Sequence, residues 1–400
     1  RVTEGTLEHM IELDYILNQF SKVKVNKMKP VIRNILRSAV YQLKYMDSVP
    51  DSAVCNEAVK LAVKKGFGTL RGFVNGVLRN VARGLDQVEY PTEGIERLSV
   101  VYSMPEWILK LWKKTYDLDV IESMLQAFQE ETPVTIRCNL AKTTPENLKE
   151  SLQKEGVTVT PHPYLSYAFW IQDYDHLSEL ESFQKGEFYV QDISSMLVGE
   201  LADPKKGDRV IDVCAAPGGK ALHVAEKLRG TGSVEARDLS LYKVGLITEN
   251  IERSGLTNIH AVQKDATVCD ADVKDAADLV IADLPCSGLG VLAKKTDLKY
   301  KATEQSTKEL AGLQREILKN AASYVRPGGT LIYSTCTINP AENIENVHWF
   351  LKEFPEFVLD PIADRLCSTL QNSVEEAGCL QLLPGIHKSD GFFIARFGKK

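Results

Sequence analysis

A regular alternation of strand-like and helix-like segments from residue 207 onwards constrains the fold of this 400-residue chain more than any other feature. Apolar segments that read as strands recur between helical patterns at residues 209–213, 233–236, 259–263, 279–282 and 330–334. Repeated strand–helix units form a parallel sheet with helices on both faces. We therefore predict an α/β, doubly wound, Rossmann-like domain over residues 187–400, with residues 392–396 as its final edge strand.

Two smaller regions precede this domain. In residues 1–88, apolar side chains recur three and four positions apart over 32–43 and 70–81, which predicts a small all-α bundle. Residues 89–186 read as a linker followed by a small α+β module. The predicted strands are 134–139 and 157–160, with a further strand at 188–191 just beyond the boundary at residue 186.

The charge of the chain is unevenly distributed. The net charge is −6, but residues 1–88 hold fourteen Lys and Arg against eight Asp and Glu, a net charge of +6. A basic head on an acidic body indicates a polyanionic partner at the head, although a solvated helical surface explains it equally well. If the cluster contacts phosphates, affinity should fall steeply with salt. The clustered cations are Lys22, Lys24, Lys27, Lys29, Arg33 and Arg37.

Several classes of protein are excluded by pattern. Apolar stretches are too short to span a bilayer, and the chain opens at Arg1 without a leader pattern, so we expect a soluble, cytoplasmic protein and no membrane partner. The eight cysteines are widely spaced and include no Cys-x-x-Cys pair, so we expect neither a metal site nor a disulfide framework. We expect a monomer.

The turn after the first predicted strand is rich in small residues, which let a backbone approach a ligand closely. It matches neither the dinucleotide fingerprint nor a phosphate-binding loop, which would need Gly at position 214 and Ser or Thr at position 221. We interpret it as a cofactor loop that does not grip phosphate. Its residues are Cys214, Ala215, Ala216, Pro217, Gly218, Gly219 and Lys220.

Three carboxylates follow the next three predicted strands. Asp238 ends the second strand, where an acidic side chain takes two ribose hydroxyls. Asp265 follows the third strand, where it could accept from an adenine amino group, and Asp283 follows the fourth. A nucleoside held by acids without a phosphate grip fits S-adenosylmethionine better than a nicotinamide dinucleotide.

Two cysteines lie where chemistry is expected. Cys286 follows the fourth strand and Cys336 ends the fifth, so both thiols should face one crevice near a methyl donor. Carbon 5 of cytosine is a poor nucleophile, and thiolate addition at carbon 6 activates it. Asp283 is placed to steer charge near ring N3, and the base must leave its stack to be reached. Spacing alone does not decide which cysteine attacks.

These motifs resemble the NOL/NOP/Sun family of RNA cytosine-5 methyltransferases, specifically its bacterial Sun/Fmu or RsmB-type branch, over nearly the whole chain. The resemblance implies that residues 214–220, Asp238, Asp265 and Asp283 bind S-adenosylmethionine. It also implies that Cys336 is the nucleophile and Cys286 the release cysteine. The matching motifs are 137–139, 212–220, Asp238, 264–266, 283–288, 334–336 and 390–396.

The resemblance further implies a NusB-like RNA-binding head that lacks its first one or two helices, and an RRM-like middle module. The implied substrate is 16S ribosomal RNA at the cytosine numbered 967, with no role for DNA. Arg237 departs from the family pattern, which more often has an apolar residue before Asp238.

Three alternatives remain from the sequence. A transfer RNA cytosine-5 methyltransferase of the same family is the nearest. An amino-group methyltransferase is disfavoured because Asp-Leu-Pro-Cys, rather than Asp/Asn-Pro-Pro-Tyr/Phe, follows the fourth strand. A non-catalytic ribosome-assembly factor is disfavoured because mere binding needs neither thiol.

Overall fold

A computed structural model describes residues 1–374 and 376–400 of the chain. These residues divide into two compact units, one of Arg1–Gln129 with Leu292–Lys301 and the other of Glu130–Val291 with Ala302–Lys400. Among the described residues, no helix is both long enough and apolar enough to cross a membrane. The domain boundaries predicted after residues 88 and 186 stay predictions.

The first unit is built from helices around an apolar core. Pro30 occupies the first turn of the third helix, where its missing N–H costs nothing. The apolar stripes predicted over 32–43 and 70–81 both face the core. The helices are α1 (Val2–Glu8), α2 (Met10–Phe20), α3 (Pro30–Tyr45), α4 (Asp51–Lys64), α5 (Arg71–Gly84), α6 (Gly94–Val101), α7 (Glu106–Trp112) and α8 (Leu118–Gln129).

A four-stranded antiparallel sheet opens the second unit, with strand order β2-β3-β1-β4. Its elements are β1 (Val134–Cys138), α9 (Pro145–Lys154), β2 (Thr158–Pro161), β3 (Ala168–Gln172), α10 (Glu181–Gln184) and β4 (Phe188–Val190). The sequence pattern missed β3 because Ala-Phe-Trp-Ile is a continuous apolar run without the polar alternation that marks a half-buried strand.

The large sheet has the order β10-β12-β9-β8-β5-β6-β7, with β11 also paired to β12. Strands β5 to β9 pair parallel to one another, and β12 pairs antiparallel to β9, so the predicted doubly wound α/β architecture is confirmed. The strands are β5 (Arg209–Asp212), β6 (Ser233–Asp238), β7 (Ile259–Gln263), β8 (Ala277–Asp283), β9 (Val325–Thr335), β10 (Phe357–Leu359), β11 (Cys379–Leu382) and β12 (Phe392–Lys399).

Helices cover both faces of this sheet. They are α11 (Ile193–Ala202), α12 (Gly219–Lys227), α13 (Leu241–Ser254), α15 (Glu304–Tyr324), α16 (Ile344–Glu353) and α17 (Ser368–Gln371), while α14 (Leu298–Lys301) belongs to the helical unit. The strand order reverses between β5 and β8, and ligands of doubly wound sheets bind at the carboxyl ends of strands beside such a point.

The prediction that residues 392–396 form the edge strand is wrong. Strand β12 pairs with β9 on one side and with β10 and β11 on the other, so it lies inside the sheet. Strands β10 and β11 have three and four residues, too few to show a period in the sequence, and they become strands because β12 offers them an unpaired edge.

Candidate active site

The cofactor loop connects β5 to α12 and is tied to the neighbouring strand. The amide of Ala215 donates to the carbonyl of Arg237 over 2.7 Å, and the amide of Gly218 donates to the carbonyl of Ala215 over 2.7 Å. Gly218 has φ 108°, a conformation that residues with a side chain rarely adopt. The loop therefore needs glycine where it enters the helix.

A cavity of about 240 Å³ lies at the carboxyl ends of these strands. Its walls include the apolar side chains of Pro285, Leu313 and Ile317. Five of the predicted cofactor residues line it: Cys214, Ala216, Asp238, Asp265 and Asp283. The other five, Ala215, Pro217, Gly218, Gly219 and Lys220, are not among its lining residues.

Neighbouring residues fix two of the lining carboxylates, Asp238 and Asp265, by hydrogen bonds. The amide of Ala216 donates to Asp238 Oδ2 over 3.3 Å, and Lys243 Nζ lies 3.5 Å from Asp238 Oδ1. The hydroxyl and amide of Thr267 donate to Asp265 Oδ1, which lowers the pKa of Asp265. Charged acceptors thus stand beside apolar walls, an arrangement that fits a nucleoside with its hydroxyl and amino donors.

Arg237 does not disturb Asp238. Successive side chains of a strand point to opposite faces. Arg237 is buried, with a guanidinium nitrogen 3.0 Å from Asp270 Oδ2 and another ion pair to Glu235. Its charge is therefore neutralised by Glu235 and Asp270, which do not line the cavity.

A buried group of charges lies at the end of β5. Asp212 is fully buried; its Oδ1 accepts from the amide of Cys214, and its other oxygen has no partner among the residues that the structure describes. Burial, followed by the charge of Asp283, raises the pKa of Asp212 to about 7.

Lys220 is the cation of this group. Its Nζ lies 2.8 Å from Asp283 Oδ2. Burial opposes the charge, but Asp283, Asp212 and Cys336 together hold the pKa of Lys220 above its ordinary value. The ammonium group therefore stays charged within electrostatic reach of Cys336.

The structure brings the two predicted cysteines together. Cys286 Sγ lies 3.0 Å from Cys336 Sγ, and the backbone amide of Cys336 donates to Cys286 Sγ over 3.2 Å. The contact with Cys336, followed by burial, holds the pKa of Cys286 well above its ordinary value. The Ser334 hydroxyl donates to Asp283 Oδ1 over 2.8 Å, which links β9 just before Cys336 to the cavity wall.

A buried polar network around Cys286 was missed by the sequence reasoning. Helix α16 begins at Ile344, after a 3-10 turn over Pro340–Glu342 that directs Glu342 inward. Its carboxylate accepts hydrogen bonds from Ser287, Gln314 and Asn339. The available signal was the polar, proline-containing stretch Asn-Pro-Ala-Glu-Asn, which begins three residues after Cys336.

The Arg-Cys-Asn motif at residues 137–139 has a structural role. Arg137 is fully buried, pairs with Glu226 over 3.1 Å and stacks on the Tyr189 ring. The Asn139 side chain donates to the carbonyls of Gly186 and Ser254. These contacts fasten the small antiparallel sheet to the helices of the large one.

Comparison with known proteins identifies the family of this chain. Three family models match the chain: "16S rRNA methyltransferase RsmB/F" over residues 200–398, the NusB family over 1–83, and the ferredoxin-like domain of RsmF/B-like methyltransferases over 104–174. The probable ribosomal RNA small subunit methyltransferase B of Bacillus subtilis (strain 168) is 38% identical over 99% of this chain and 89% of its own. The chain belongs to the RsmB/F methyltransferase family.

Membership of the RsmB/F family confirms the predicted NusB-like head and methyltransferase fold, and it makes this chain an S-adenosylmethionine-dependent methyltransferase. The crystal structure of a protein named PH0851 has a TM-score of 0.85 at 27% identity, covering 100% of this chain and 89% of that one. The structure of NSun6 from Pyrococcus horikoshii with SFG, an S-adenosylmethionine analogue, has a TM-score of 0.65 at 25% identity, covering 74% and 98%.

Proposed function

We propose that this RsmB/F-family protein methylates carbon 5 of a cytosine in 16S ribosomal RNA through a covalent adduct with Cys336. The observation that carries the proposal is the pair of thiols, 3.0 Å apart, beside the acid-lined cavity. Direct methyl transfer to an amino group needs no thiol, whereas carbon 5 needs covalent activation. The ribosomal RNA substrate is supported by the names of the family and of its B. subtilis relative.

The surroundings of the two thiols favour Cys336 as the attacking group. A nearby cation stabilises a thiolate, and the charged Lys220 is within electrostatic reach of Cys336. The raised pKa of Cys286 keeps that group protonated. The Cys336 thiolate forms a bond to carbon 6, and the displaced ring electrons make carbon 5 nucleophilic.

The other residues act on either side of this step. Asp283 lines the cavity, where its carboxylate steers charge near ring N3. Bound S-adenosylmethionine supplies the methyl group. A base then removes the carbon 5 proton, the carbon 5–carbon 6 double bond re-forms and the bond to Cys336 breaks. The protonated Cys286 donates a hydrogen bond to the departing Cys336 sulfur, which assists release.

The decisive experiment traps the adduct. Cys286→Ala protein is incubated with S-adenosylmethionine and small-subunit RNA and run on a denaturing gel. We expect a slow-migrating protein–RNA species that disappears when Cys336 is also changed to Ala. Cys269→Ala, at an exposed thiol outside the site, is the matched control and should leave the adduct intact. Persistence of the adduct without Cys336 reverses the assignment, and retained methylation by Cys336→Ala rules out covalent catalysis by this residue.

The target nucleotide is proposed from the family as cytosine 967 of 16S RNA. Bisulfite sequencing of 16S RNA and transfer RNA, each incubated with the protein, maps the methylated position. A methylated cytosine found in transfer RNA alone would favour the transfer RNA alternative instead.

A further inference from the structure

We infer that Glu342 is a positioning residue that acts on the release step through Cys286. The inference rests on the proposed function, because release exists only if a covalent adduct forms. Glu342 does not line the cavity; it acts on the loop that carries Cys286, through hydrogen bonds with Ser287.

The Glu342 carboxylate is fully buried and accepts four hydrogen bonds. Its Oε2 accepts from the Ser287 amide over 2.8 Å and from Gln314 Nε2 over 3.1 Å. Its Oε1 accepts from the Ser287 hydroxyl over 2.6 Å and from Asn339 Nδ2 over 2.9 Å. An ionised carboxylate has about four acceptor sites, so these four donors fill the hydrogen-bonding capacity of Glu342.

This network holds both chain neighbours of Cys286. Ser287 supplies two of the four donors to Glu342, and Gln314 Nε2 also donates to the carbonyl of Pro285 over 2.9 Å. Glu342 itself follows Cys336 by six residues in a tight turn. One buried carboxylate therefore ties the Cys286 loop to the Cys336 loop and fixes the distance between the sulfurs.

The charge of Glu342 has a chemical effect as well. After the contact with Cys336 and burial, it is a further cause of the raised pKa of Cys286. A buried carboxylate beside a thiol disfavours the thiolate. Glu342 thus keeps Cys286 in the protonated form that can donate to the departing sulfur.

The test uses Glu342→Gln, which keeps the size of the side chain but replaces one acceptor oxygen with a donor. With S-adenosylmethionine and small-subunit RNA, we expect the covalent adduct to accumulate as it does with Cys286→Ala. Turnover should fall about tenfold or more because the release group is misplaced. Cofactor affinity should stay within about twofold, since Glu342 does not line the cavity. Glu345→Gln, an exposed position three residues on, is the matched control and should turn over normally.

A double variant separates positioning from a merely structural role. If Glu342 acts through Cys286, then Glu342→Gln added to Cys286→Ala changes neither the adduct yield nor the rate at which it forms. Ser287→Ala, which removes one donor and keeps the backbone, should accumulate adduct to a smaller extent and serves if Glu342→Gln does not fold.

Two results overturn the inference. One is loss of turnover in both Glu342→Gln and Ser287→Ala without adduct, while Cys286→Ala still accumulates it. The other is a lower yield or a slower formation of the adduct in the Glu342→Gln/Cys286→Ala double variant than in Cys286→Ala alone. If Cys286→Ala itself forms no adduct, the proposed function fails and the inference falls with it.

Discussion

The ammonium nitrogen of Lys220 lies 2.8 Å from Asp283 Oδ2, which joins the first turn of α12 to the end of β8. Asp283 also accepts from Ser334 on β9, so the position of this charge pair is fixed from three elements. Its electrostatic influence extends to Cys336. The reactivity of the thiol should therefore depend on a lysine that is not among the cavity-lining residues.

Replacing Lys220 with Met keeps the side-chain length and removes the charge. Without the cation the Cys336 thiolate is less populated, so its alkylation by iodoacetamide at pH 7.5 should slow about tenfold, equivalent to one pKa unit. Peptide mass spectrometry measures the rate. Lys227→Met, on the same helix but paired with Glu200, should leave it unchanged. Equal alkylation rates in all three proteins would contradict the role given to Lys220.

Asp212 predicts a pH dependence of stability. Its pKa is raised to about 7 in the folded chain from an ordinary value of 3.8. Because the folded state holds this proton more tightly, the contribution favours folding at low pH and is lost as the pH rises from 3.8 through about 7. Asp212→Asn should therefore stabilise the chain more at pH 8 than at pH 5, by roughly 2 kcal/mol.

Thermal melts at both pH values measure this difference. Asp364→Asn, at an exposed position, is the control and should show no such difference. A gain of equal size at the two pH values would show that Asp212 does not titrate in this range.

Glu12 predicts the opposite pH dependence in the helical unit. Burial would raise its pKa, but hydrogen bonds with His9, Lys44 and Tyr45 lower the pKa of Glu12 to about 2. Its contribution to stability is present above the ordinary value of 4.5 and is lost as the pH falls towards 2. Glu12→Gln should cost about 3 kcal/mol at pH 7 and progressively less below pH 4.

Urea unfolding of this variant at pH 7 and pH 3 checks the sign. The control is Glu57→Gln, whose partner is also exposed and whose ion pair should contribute little. A cost that grows on acidification would exclude the assigned ionisation of Glu12.

Gly290 permits a close crossing of two backbone segments. A Cβ atom there would lie 1.9 Å from the Gly391 carbonyl oxygen and 2.9 Å from that of Cys336. Gly290→Ala should displace the Cys336 loop and lower the methylation rate about a hundredfold. Gly312→Ala, inside α15 with open space around it, should keep the rate and stabilise slightly. Unchanged methylation by Gly290→Ala would show that the crossing does not fix the thiol.

The helical head supplies a prediction for RNA binding. Of the six clustered cations, Arg37 is engaged by Asp14 and Arg33 is half-buried, which leaves four exposed lysines as candidate phosphate contacts: Lys22, Lys24, Lys27 and Lys29. Changing all four to Gln should weaken binding and reduce the slope of log affinity against log salt by about 3. Filter binding over a salt series measures it, with Lys113→Gln/Lys114→Gln as the control. An unaltered slope would show that these lysines do not contact phosphates and serve only the solubility of the chain.

The sequence was sufficient to predict those site residues whose positions follow from the strand order of a parallel sheet. Parallel strands end at a common edge, so Asp238, Asp283 and the two cysteines could be placed together from strand positions alone. The ion pair of Lys220 with Asp283 could not, because spacing along the chain does not show which side chains meet across a sheet. Glu342 was hidden for a related reason, since an acidic residue near a helix start is ordinarily solvated.

The segment Leu292–Lys301 belongs to the helical unit although the chain on both sides of it belongs to the other. Within the helical unit, Lys299 Nζ donates to the Glu8 carbonyl and the Tyr300 hydroxyl to that of Ser103. A single cut in the chain therefore cannot release the head whole. An exchange of the helical unit between relatives would therefore have to carry this ten-residue segment as well as residues 1–129.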